Sequence, residues 1–94
     1  MRVSDSEVKV KRIVIDVLKP REISLVDLSK ALCEVSGTDD VAIVVKEVDA
    51  NTETISITIE GKNIDFEDIT DTIEEYSCAI RSIDEIEVYK AKKE

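Results

Sequence analysis

A single aspartate, Asp16, interrupts the apolar run Ile13-Val14-Ile15-Asp16-Val17-Leu18 that leads into Lys19-Pro20. The run is β-branched and reads as strand, with Ile13, Ile15 and Val17 on one face and Val14, Asp16 and Leu18 on the other. A lone buried carboxylate costs several kcal/mol or takes up a proton, so Asp16 must be solvated, paired, hydrogen-bonded or ligating a cation. The strand therefore belongs to a sheet with one face that is not simply core.

The rest of the chain supplies the matching elements. The first strand spans Val8 to Lys19 and stops at Pro20, after a polar N-terminal stretch, Met1 to Glu7, expected to fray. Ser24 is an N-cap candidate with Asp27 three residues on, and Leu25, Leu28, Leu32 and Val35 follow at helical spacing. Gly37 sits where a left-handed C-terminal cap is expected. Val41 to Val48 reads as a second strand, Asp49 to Thr52 as a turn, and Thr54 to Glu60 as a third strand. In the third, Ile55, Ile57 and Ile59 alternate with Thr54, Ser56, Thr58 and Glu60. Asp65, with Asp68 in the box position, opens a second helix whose buried stripe is Phe66, Ile69, Ile73 and Tyr76. Its other face carries Glu67, Asp71, Glu74 and Glu75, a solvated acidic surface. A last strand runs from Ile80 to Val88, and Lys90 to Glu94 is a charged tail. Ile80, Ile83, Ile86 and Val88 cannot share one unbroken period of two, so a bulge is expected at Ile83-Asp84-Glu85.

Strand, helix, strand, strand, helix, strand with right-handed crossovers is a ferredoxin-like α+β two-layer sandwich. The expectation is one domain over the 94 residues, an antiparallel four-stranded sheet, and both helices on one face. The first and third strands are then central. With Asp16 roughly opposite Thr58, the uncovered face collects Val14, Asp16, Leu18, Ser56, Thr58 and Glu60, joined by Ala42, Val44, Lys46 and Val48. A mostly apolar sheet face without helices usually meets another subunit, so a homo-oligomer is expected.

Charge and residue types narrow the chemistry. A net charge of -9 repels phosphate backbones, so no nucleic-acid partner is expected. No run reaches the length of a membrane helix and no signal peptide opens the chain, which reads as cytoplasmic. The absence of histidine removes the commonest general base and the commonest transition-metal ligand. Cys33 and Cys78 are too far apart in sequence for a C-x-x-C metal or redox motif and read as two small buried thiols, a disulfide between them being the alternative in a hyperthermophile. Only Gly37 and Gly61 exist, so there is no glycine-rich phosphate loop; no nucleophile elbow or Cys-His pair is present either. The chain reads as a non-enzyme.

The candidate site is a divalent-cation site, most naturally calcium, made by Asp16 and Glu60 with Asp84 as a third ligand. These carboxylates, with hydroxyls and water, are the oxygen donors a hard cation takes. A salt bridge to Arg12, to Arg81 or to a neighbouring subunit is the competing arrangement. Asp49, Asn51, Glu53 and Glu60 mimic the spacing of a calcium loop, but Thr54 stands where its sharp turn requires glycine, and this segment is a hairpin.

Several strings resemble an archaeal family known as domain of unknown function 211. They are DVLKP at Asp16 to Pro20 with the serine-led helix after it, ETISITIEG at Glu53 to Gly61, DFEDI at Asp65 to Ile69, IEEY at Ile73 to Tyr76 and SIDEI at Ser82 to Ile86. The likeness covers about Arg12 to Val88. Cys78 departs from it, at a place where a glycine is expected. The resemblance implies a ferredoxin-like fold, a ring-shaped homo-oligomer, calcium binding and an archaeal, cytoplasmic setting; it implies no reaction. Two other functions remain open. One is an amino-acid-sensing regulatory module with its ligand at the Lys19 to Ser24 loop and Arg21 holding a carboxylate. The other is a protein-interaction domain.

Overall fold

The computed structural model describes residues 7–91. The elements are β1 (Val8–Pro20), α1 (Leu25–Cys33), β2 (Thr38–Val48), β3 (Thr52–Gly61), α2 (Phe66–Glu75) and β4 (Ala79–Lys90). The strands form one antiparallel sheet in the order β2-β3-β1-β4, the expected ferredoxin-like arrangement with β1 and β3 in the centre. Of the two polar ends, residues 1–6 and 92–94 lie outside the described residues. Within the described residues the Ala91 amide donates to the Glu7 carbonyl, and Lys90 belongs to β4 and pairs with Val8.

Alternation fills the core. Ile13, Ile15 and Val17 of β1 and Ile55, Ile57 and Ile59 of β3 are fully buried under Leu28, Leu32, Ile69 and Ile73 from the two helices. Both helices start as their sequences dictate. The Ser24 hydroxyl accepts from the Asp27 amide, and an Asp65 carboxylate oxygen accepts from the Asp68 amide, each at 3.1 Å.

The helix ends differ from expectation. α1 stops at Cys33 with Glu34 as its cap, so Gly37 is not a helix cap. It lies in the turn into β2 at φ +86°, against the backbone of Asn63. At the end of α2 a left-handed cap is present, but on Ser77, at φ 64°. The Cys78 amide returns to the Ile73 carbonyl and the Ser77 amide to the Glu74 carbonyl, which is a Schellman closure. A side chain in that conformation costs about 1–2 kcal/mol relative to glycine. Ser77→Gly is therefore expected to raise stability by about 0.5–1 kcal/mol in urea denaturation; a loss instead would mean that the serine side chain contributes more than its backbone strain costs.

The expected bulge at Asp84 is present, and three more break the edge strands. Asp39 and Lys46 are the extra residues in β2, and Arg81 joins Asp84 in β4. A further irregularity sits at Lys11 in β1. The bulge at Lys46 corrects one detail of the uncovered face. Beyond it, Glu47 stands opposite Thr54 on that face, while Val48 stands opposite Glu53 on the helix side. All four edge bulges carry a charged residue, a device that blunts edge-to-edge pairing of sheets.

Candidate functional site

Residues directly opposite each other share a face, so the register lays out the uncovered side as four rows. Asp40, Glu60, Arg12 and Glu87 make the first, and Ala42, Thr58, Val14 and Glu85 the second. Val44, Ser56, Asp16 and Ser82 make the third, and Glu47, Thr54, Leu18 and Ala79 the fourth. The first row is ionic, the middle two set Ala42, Val14 and Val44 among three hydroxyl side chains with Glu85 at the β4 edge and Asp16 on β1, and the last is mixed.

This register corrects the expected pairing. Asp16 faces Ser56, and it is Val14 that faces Thr58. Glu60 stands opposite Arg12, four positions from Asp16, which is about 13 Å along the strand. Glu60 is engaged there: its carboxylate takes the Arg12 guanidinium, which also donates to Glu85 at 3.1 Å. The Glu60 hydrogen bond, with Glu85 behind it, pushes the Arg12 pKa further up, so its charge is permanent. The competing salt-bridge arrangement thus describes Glu60.

Ser82 stands between the positions of Asp16 and Asp84. Ser82 sits opposite Asp16, and its hydroxyl donates to a carboxylate oxygen of Asp84 at 2.8 Å. Asp84 reaches that hydroxyl because it is the extra residue of its bulge. Among the described residues Asp16 makes no side-chain hydrogen bond or ion pair, and it is half-buried. Two carboxylates and the hydroxyls of Ser56 and Ser82 fall short of the six to eight oxygens calcium takes. Among the described residues no group of three or more His, Cys, Asp or Glu is placed to hold a metal. One chain alone therefore does not build the cage.

The largest departure from expectation is on the helix side. Lys19 continues the phase of Ile13, Ile15 and Val17 and is 1% exposed. Its ammonium donates to the carbonyls of Pro20 at 2.8 Å and Ile23 at 2.6 Å, and ion-pairs with Glu53 at 3.1 Å. The Glu53 contact is an ion pair without hydrogen-bond alignment, and this carboxylate oxygen is itself buried. Lys19 thus ties the β1–α1 loop to the start of β3. The alternation contained the signal, because Lys19 and Glu53 are each in phase with core isoleucines and directly opposite each other. Cys78 is buried nearby, and loss of solvent pushes its thiol pKa up, partly offset by the Lys19 charge. Cys33, expected to be buried, is exposed, with its Sγ 3.6 Å from the Asp39 carbonyl; both thiols are free.

Arg21 and Glu22 line a shallow depression of about 390 Å³ with Ala50 and Asn51 of the β2–β3 turn. The Arg21 amide donates to the Asn51 carbonyl across its floor. No helix of the described residues is long and apolar enough to cross a membrane.

Comparison with known proteins places these features in a family setting. The model of the family DUF211, described as "Uncharacterized ArCR", matches residues 11–92. An uncharacterized protein of Methanocaldococcus jannaschii is 44% identical over 77 residues, which cover 82% of this chain and 79% of that protein.

Proposed function

Because the chain belongs to the DUF211 family, whose description names no reaction, we propose its function from its own geometry: it is a non-enzymatic, homo-oligomeric domain that self-associates through the uncovered sheet face and binds calcium there. The observation that carries this reading is Asp16, a half-buried carboxylate without a side-chain partner among the described residues, in the middle row of a face bearing Val14, Leu18 and Val44. Covering the middle rows with a second copy removes water from Asp16. Its charge then has to be compensated. The Asp16–Ser82–Asp84 group supplies part of a calcium shell, and oxygens of the second copy and water complete it. Glu60 stays with Arg12 and outside the shell. The bulged, charged edges favour face-to-face association over edge pairing.

Assembly and calcium binding are then thermodynamically linked. Calorimetric titration is expected to show tighter calcium binding at higher protein concentration, and a rise in mean mass on adding calcium. Asp16→Asn and Asp84→Asn each weaken calcium binding by about tenfold or more, as loss of a charged ligand from a shared shell does. Glu60→Gln leaves it unchanged. Absence of heat at millimolar calcium in the wild-type protein refutes the cation site.

The sensor reading has one supporting observation, the position of Arg21 at the depression beside the β1–α1 loop. Lys19 fills the space beneath that loop with its own ion pair, and the loop contains no glycine for close ligand approach. Assembly is therefore the better-supported function.

A further inference from the structure

We draw no further inference here: the strongest candidate, the exposed strip of Ile83 and Ile86 on the helix side of β4 beside the acidic face of α2, restates the self-association already expected for this chain if a second copy covers it, and nothing in the structure shows another occupant.

Discussion

Replacing Lys19 with alanine is expected to cost about 3–5 kcal/mol, a large part of the stability of a domain this size. The size follows from what is left behind. The Pro20 and Ile23 carbonyls lose the donor that ties them together, and Glu53 keeps a buried oxygen facing a cavity instead of an ammonium. The pair itself is worth far less than this loss, because both charges were desolvated to form it. Replacing both partners at once, Lys19→Met with Glu53→Met, is accordingly expected to recover more than half of the deficit. Urea denaturation of the two single variants and the double variant measures the coupling. A loss below about 1 kcal/mol for Lys19→Ala would mean that the loop holds its place without the ion pair.

Gly37→Ala is the second large effect, about 3 kcal/mol or more, with failure to fold as the extreme outcome. Two costs add. At φ +86° an L side chain is strained whatever the space around it, and a Cβ would lie 1.8 Å from the Asn63 carbonyl oxygen. Gly61 packs into the same crossing, where its own Cβ would meet the Gly37 carbonyl oxygen at 1.9 Å. Backbone blocks the way on both sides, so no side-chain rotation relieves the overlap. Thermal denaturation of Gly37→Ala beside Ser36→Ala, an exposed neighbour, isolates the effect. Equal melting temperatures for the two would contradict this account of the crossing.

These two positions mark where the sequence was legible and where it was not. The faces of β1 and β3 could be read from alternation alone, and Asp16 does lie on the side away from the helices. The register could not. A slip of two residues keeps every side chain on its face, so the pattern is blind to it, and Asp16 sits opposite Ser56 rather than Thr58. That shift gives Glu60 to Arg12 and leaves Asp16 opposite Ser56 and Ser82, the serine that donates to Asp84. The bulge at Asp84 was visible because isoleucines at Ile80, Ile83 and Ile86 break phase. The one at Lys46 was hidden because valines at Val44 and Val45 occupy both faces ahead of it. Gly37 was recognised as a left-handed position, but its cause is the contact with Asn63 and Gly61, long-range packing that helix spacing does not report. Lys19 was missed although its phase was plain, because the Lys19-Pro20 step read as the end of a strand rather than as the last core position.

Of the candidate site, its location on the uncovered face was legible and its membership only partly so. Whether a second copy covers that face is the point on which the functional account stands. The most direct measurement is the light-scattering mass of the wild-type protein beside Leu18→Lys with Val44→Lys, two substitutions on the uncovered face at positions that join no observed ion pair. The expected result is a wild-type mass that is a multiple of 10.5 kDa and a double variant that is folded at 10.5 kDa. A wild-type mass of 10.5 kDa with calcium present, or an unchanged assembly in the double variant, would contradict it.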